Sequence, residues 1–209
     1  MHSRKTSKHP GTRGHEAADA LDWNEAMNLV ETLENDEYYR DALLVASGCF
    51  LGLRISDLLS LRWKDLTGED KEINLVEKKT GKRRSLRLNP ALSGLASRCY
   101  DKMHVRNPNG YIFTGQYYRL ERPITRRRAL QILSEAKSRY GIKSAKVFST
   151  HSLRKTFGRR VWLRECERGR GEQALLLLQE VFGHSSVQIT RRYLGIRREE
   201  VLSVYDSLN

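Results

Sequence analysis

The residues best equipped for chemistry lie between Leu177 and Leu194, where an apolar helical pattern runs into Gly183-His184-Ser185-Ser186 and resumes as a short basic helix. Tyr193 follows His184 by nine positions and comes directly after Arg191 and Arg192. A phenol can act as a covalent nucleophile when positive charge meets its developing phenolate and a base takes its proton. A tyrosine at the end of an amphipathic helix also fits half-buried packing with its hydroxyl in water, so the weight falls on what stands upstream. Arg54, in LGLRISDLLSL, is flanked by residues that favour the interior. A guanidinium keeps its charge and is costly to bury unpaired, so Arg54 requires either a carboxylate such as Asp57 or an anionic ligand. His151 and Arg154, in STHSLRK, stand three apart and share one face of a helix. Lys78, Lys79, Lys82, Arg83 and Arg84 gather at or near a predicted hairpin tip, which is usually just solvated but is also a shape suited to reaching into a groove of DNA. Arg126, Arg127 and Arg128 open a later helix, where they read as surface or as phosphate contacts.

The elements that must position these groups are legible in the pattern. Asp22 caps a first helix with Ala26, Leu29, Val30 and Leu33 on one face, broken at Asn35-Asp36. Tyr38 to about Leu51 is apolar on nearly all sides and reads as the core helix; Gly52 then turns the chain before Arg54, and Ile55, Leu58, Leu59 and Leu61 resume a short helix. Across 72–88 the period changes, and EINLVEK and RRSLRL form two strands around Lys79-Thr80-Gly81-Lys82. Asn89-Pro90 starts a helix to about Val105, which Asn107-Pro108-Asn109-Gly110 ends, and Tyr111 to Thr114 reads as a short third strand. Thr125 caps a helix to about Tyr140, and Ser149 or Thr150 caps the one bearing His151 and Arg154. Arg168-Gly169-Arg170-Gly171 forms a joint before ALLLLQEVF, and Val201, Leu202, Val204 and Tyr205 mark an amphipathic tail after Gly195. The expected fold class is mainly α with a small antiparallel β-sheet.

Composition narrows the partners. With 38 Lys and Arg against 25 Asp and Glu, the 209-residue chain carries +13, the footprint of a partner rich in phosphates. This length supports one well-buried core. Residues 1–20 read as a disordered basic arm and 21–209 as one domain. Cys49, Cys99 and Cys166 are widely spaced without a CxxC pair, which suggests neither a disulfide framework nor a zinc site and fits a reducing compartment. The apolar run from Ala42 to Leu53 is shorter than the roughly 20 residues a membrane span needs, and the polar, basic N-terminus has no signal-peptide core. A soluble cytoplasmic protein with no membrane partner is expected.

Taken together, Arg54 in LGLRISDLLSL, Lys79 in KKTGKRR, His151 and Arg154 in HSLRK, His184 in FGHSS and Tyr193 in ITRRYL have the order and approximate spacing of the tyrosine recombinases, the phage integrase family. The resemblance covers about residues 21 to 205, the family's catalytic domain. It implies a site-specific recombinase or integrase that cuts and rejoins DNA through a 3′-phosphotyrosine at Tyr193, using no metal, ATP or other cofactor. In that scheme Arg54 and Arg154 clamp the phosphate, His184 adds a donor and His151 assists the tyrosine proton. Lys79 protonates the leaving oxygen, with Lys78 and Lys82 as alternatives, and Asp57 orients a clamp arginine. Lys78, Lys82, Arg83, Arg84, Arg126, Arg127, Arg191 and Arg192 are candidate DNA contacts. The implied partners are double-stranded DNA bearing specific recombination sites, further copies of the chain in a tetramer on DNA, and an accessory DNA-bending protein. Against the family's pattern, the chain is expected to have no separate DNA-clamping domain before Asp22. Its thirty-position gap between Arg154 and His184 is also long, and it carries Lys155 where a histidine is frequent. A type IB topoisomerase, which reseals its own strand, and a DNA-binding regulator that does not cut are the competing expectations.

Overall fold

In the computed structural model, which describes residues 18–115 and 122–196, the capping signals govern where helices begin. Asp22 accepts the Asn24 and Glu25 N–H groups at the start of α1, Trp23–Asn35, which buries Ala26, Leu29, Val30 and Leu33. That face packs on α2, Tyr39–Leu51, whose residues from Ala42 through Cys49 are all buried. Gly52 ends α2 at φ 58, and a Cβ there would lie 2.3 Å from Phe157 Cδ1, so both the backbone and the packing require glycine. The single short helix expected next is two: α3, Ile55–Leu58, with Arg54 at its N-cap, and α4, Trp63–Thr67.

Strands β1, Glu72–Val76, and β2, Arg83–Arg87, pair antiparallel from Glu72 opposite Arg87 to Val76 opposite Arg83. Helix α5 covers Pro90–Lys102 and stops short of Val105 because His104 takes φ 50. The Val105 and His104 N–H groups turn back to the Tyr100 and Asp101 carbonyls, a closing arrangement in which histidine holds the place usual for glycine. Tyr111 to Thr114 is not a third strand of the sheet. Tyr111 bridges Arg62 and Thr114 bridges Pro123, each as an isolated pair, because neither stretch runs beside β1 or β2. The remaining helices are α6, Arg126–Tyr140; α7, Thr150–Cys166; α8, Gly171–Phe182; and α9, Val187–Leu194.

Two apolar clusters organise these elements. The larger joins α1 and α2 to α5, α6 and Leu153 of α7. The smaller gathers Leu175, Leu178, Phe182, Leu194 and Ile196 against Phe157, Val161 and Trp162 of α7. Helix α7 therefore spans both clusters, and its first turns lie at the seam between them. Most of the expected arm, 1–17, and the expected tail after Ile196 lie outside the described residues. Asp19 is inside them and exchanges hydrogen bonds with Val147.

Candidate active site

The seam is where the expected site residues meet. Helix α8 ends at Phe182, and the last carbonyls of a helix have no partner within it. Arg54 Nη2 donates to the Phe182 carbonyl at 3.0 Å, and Arg154 Nη2 donates to the same oxygen at 3.1 Å. Arg154 is 5% exposed, also donates to the Gly52 carbonyl, and lays its guanidinium 4.5 Å from the Phe182 ring centroid. Two arginines a hundred positions apart are thus held side by side by one backbone oxygen at the turn that leads into His184.

Behind them stands a carboxylate that sequence reasoning missed. Glu77 Oε2 accepts from Arg54 Nη1 at 2.7 Å, and its Oε1 accepts from Arg84 Nη1 at 3.0 Å. Arg84 Nη1 also reaches the Val181 carbonyl at 2.8 Å. The Asp57 assignment is corrected accordingly. Asp57 does not orient Arg54; it is 1% exposed and accepts the Lys78 backbone N–H at 2.9 Å, while its Oδ2 accepts no hydrogen bond among the described residues. Arg54 passes over the nearer acid and pairs with Glu77 of the hairpin, 23 positions on. Arg84 is likewise not a groove-reaching residue at the hairpin tip: it faces inward, while Lys78, Lys79, Lys82 and Arg83 are exposed.

The nucleophile candidate sits in the smaller cluster. The Tyr193 ring lies 5.3 Å from Phe182 and 5.1 Å from His184, both edge to face, and Lys155 Nζ lies 5.2 Å from its centroid. Its hydroxyl is buried and has no hydrogen bond of normal geometry among the described residues, though the Arg154 guanidinium is near enough to act on it. Burial raises the phenol's pKa, and Arg154 and Arg54 oppose that rise. His184 Nδ1 lies 3.0 Å from Thr190 Oγ1. Ser186 caps α9, with Oγ accepting the Ile189 N–H at 3.3 Å.

Charge crowding is evident throughout the seam. Burial first, then Arg54 and Arg84, draw the Arg154 guanidinium down to about 10, against a lesser pull upward from Tyr193 and Glu77. Burial followed by Arg154 and Arg54 lowers His184. His151, on the exposed rim of α7, is lowered by desolvation, then by Arg126, Arg154 and Lys155. Burial alone would raise the Glu77 carboxyl, but hydrogen bonds from Thr80, Arg54 and Arg84 outweigh it and hold it at about 2. Arg54 and Arg84 share the Glu77 carboxylate while Arg154 donates to backbone carbonyls, an excess of positive charge suited to an anion with several oxygens.

Not every expected residue converges. Lys79 is exposed on the hairpin turn and Arg126 and Arg127 on the first turn of α6. Arg192 is exposed, and Arg191 pairs with Glu172 of α8 at 2.5 Å. The signal that could have found the Arg54 and Arg154 acceptor was the helix end at Phe182-Gly183, whose carbonyls need donors. Glu77 offered none, since a glutamate before two lysines reads as solvated surface.

The described residues have the fold of a tyrosine recombinase catalytic domain. The chain belongs to the phage integrase family, whose model matches residues 19–200. It is 34% identical over 166 residues to the probable integrase/recombinase YoeC of Bacillus subtilis, covering 79% of this chain and 83% of that protein. It is 31% identical to tyrosine recombinase XerC of Mesorhizobium japonicum, covering 75% of this chain but 46% of that one. Among solved structures it resembles XerA recombinase, with a TM-score of 0.68 at 21% identity over 92% of this chain and 66% of that one. It also resembles XerH site-specific recombinase bound to a palindromic difH substrate in a post-cleavage complex, with a TM-score of 0.63 at 23% identity over 92% and 54% of the two chains. Among the described residues no helix is long and apolar enough to cross a membrane.

Proposed function

We propose that this chain is a site-specific recombinase that cleaves and rejoins DNA through a covalent 3′-phosphotyrosine at Tyr193. The observation that carries the reading is the shared Phe182 carbonyl, which holds Arg54 and Arg154 together at 3.0 and 3.1 Å beside the helix bearing Tyr193. A phosphate has more acceptor oxygens than a single carbonyl, and planar guanidinia can present paired donors to them.

In the reaction, Tyr193 Oη attacks the scissile phosphorus and the bond from phosphorus to the 5′-oxygen breaks. The phenolic proton passes to His151, whose lowered pKa keeps its imidazole neutral and able to accept near pH 7. Lys79 supplies a proton to the departing 5′-oxygen from the exposed hairpin turn. Arg54, Arg154 and His184 hold the non-bridging oxygens. For His184 to donate through Nε2 while neutral, Nδ1 must accept. The Thr190 hydroxyl suits that role, lying 3.0 Å from Nδ1 and only 3.4 Å from its other acceptor, the Ser186 carbonyl. Rejoining reverses each step with a 5′-hydroxyl as nucleophile, so the bond energy is conserved and neither metal nor ATP is required. The working form is a tetramer on DNA in the cytoplasm, with an accessory DNA-bending protein where the sites require one.

A nicked suicide DNA, which on cleavage loses the short downstream fragment that carries the new 5′-hydroxyl, tests the reading. The wild type is expected to yield a denaturation-resistant protein–DNA adduct and Tyr193→Phe none; DNA binding without any adduct would favour a regulator. Exchange of strands between two synthetic sites, rather than relaxation of any supercoiled plasmid, separates recombination from topoisomerase action.

A further inference from the structure

The carboxylate behind the arginines does more than balance their charge. Glu77 lies where β1 passes into the hairpin turn, 8% exposed. Its backbone closes that turn: the Glu77 N–H donates to the Lys82 carbonyl at 2.9 Å, and the Glu77 carbonyl accepts the Gly81 N–H at 2.8 Å. Its side chain spends one oxygen on two donors, Arg54 Nη1 and Thr80 Oγ1, both at 2.7 Å, and the other on Arg84. Thr80 is the residue after Lys79. One oxygen atom therefore joins a clamp arginine to the turn that carries the leaving-group lysine.

We infer that Glu77 is a positioning residue that sets Arg54 against the scissile phosphate and, through Thr80, holds the Lys79 turn in register with that arginine. The inference rests on the recombinase reading of the site. Arg84 serves the same unit from the other side, bracing the carboxylate against the Val181 carbonyl of α8. This arrangement resolves a geometric problem in the fold. Lys79 lies on an exposed turn of a two-stranded sheet, an element marginally stable alone, yet a proton donor must arrive within hydrogen-bond reach of one oxygen. A buried, charge-assisted tie to Arg54 supplies the fixed reference that such a turn lacks. Glutamine in place of Glu77 keeps the length of the side chain, but its amide nitrogen presents hydrogens to Arg84 or to Arg54 and Thr80, so one side of the unit must let go.

Two modified suicide substrates separate these roles from a merely structural one. A scissile methylphosphonate is neutral and depends less on the arginine clamp; a 5′-bridging sulfur leaves as a thiolate and needs little proton donation. Glu77→Gln is expected to slow adduct formation on the ordinary phosphodiester by about 10²-fold, the size associated with small misplacement of catalytic groups. DNA affinity at fixed salt should be retained. The loss should shrink on both modified substrates. Thr80→Val, which cuts the turn's link to Glu77 and the long 3.4 Å bond from the Lys82 N–H but spares the Arg54 pair, is expected to give a smaller loss that shrinks with sulfur and not with the methylphosphonate. A Glu77→Gln loss of the same size on either modified substrate, or Thr80→Val cleaving the ordinary substrate at the wild-type rate, overturns the inference. Absence of an adduct from the wild type itself would instead overturn the recombinase reading, so the two failures are distinct.

Discussion

Phe182 serves the site twice, its carbonyl accepting from both Arg54 and Arg154 and its ring packing under Arg154 and Tyr193. The carbonyl cannot be removed by substitution, so the arginines are the accessible test. Arg154→Lys removes the planar fork and leaves the buried Gly52 and Phe182 oxygens short of donors, and about a 10²- to 10³-fold slower single-turnover cleavage is expected. Titration follows from the same crowding. Glu77 falls from 4.5 to about 2 on folding, so the stability it contributes is complete above pH 4.5 and is lost as pH falls toward 2. Thermal melts between pH 7 and pH 3 should show a shallower acid loss in Glu77→Gln than in the wild type. His184 moves below 6.5, so the folded chain favours the neutral ring, and its stabilising contribution is present above 6.5 and declines as pH falls through that value. Phosphate in the site reverses the electrostatics, and NMR titration should find the His184 pKa higher in the DNA complex than in the free chain.

At the scale of elements, α9 carries the proposed nucleophile and is seated against α7 and α8. It has eight residues, a serine cap, and anchors through Leu194 and the buried Thr190. A Cβ at Gly158 of α7 would lie 2.6 Å from Leu194 Cδ2 and 2.7 Å from Phe182 Cζ, inside the contact that seats α9. Gly158→Ala should destabilise the fold by about 1–3 kcal/mol through overpacking, and adduct formation should fall more than DNA affinity, measured side by side. Helix boundaries were largely legible in the sequence because they are decided locally: Asp22, Asn89, Thr125 and Ser149 all cap where their side chains suggest, and Gly141 ends α6. The pair Arg54 and Arg154 was legible for another reason, since the motifs that carry them match a family. What stayed hidden was long-range. Arg54 finds Glu77 23 positions away, the Phe182 carbonyl draws Arg54 from 128 positions away and Arg154 from 28, and nothing within a few residues of Glu77 announces a buried acid. The third strand was misread because Tyr111 to Thr114 has strand-like residues but no neighbouring strand to pair with.

For the molecule as a whole, charge sets the terms of DNA engagement. The net +13 predicts affinity dominated by phosphate contacts. Between roughly 50 and 200 mM salt the binding constant should fall by about 10³-fold or more if six or more phosphates are contacted; a flat response in a fluorescence anisotropy titration would contradict the electrostatic account. The chain spans 83% of YoeC but about half of the XerC relative, at 46%. Arg54, Arg154, His184 and Tyr193 lie at a single seam of one chain. The most direct measurement digests the adduct formed on a suicide substrate and identifies by mass spectrometry the peptide that carries the DNA remnant. The account predicts a phosphodiester on Tyr193 joined to a 3′ end. A remnant on any other residue, a 5′ linkage, or no covalent species under conditions where the chain binds DNA would contradict it.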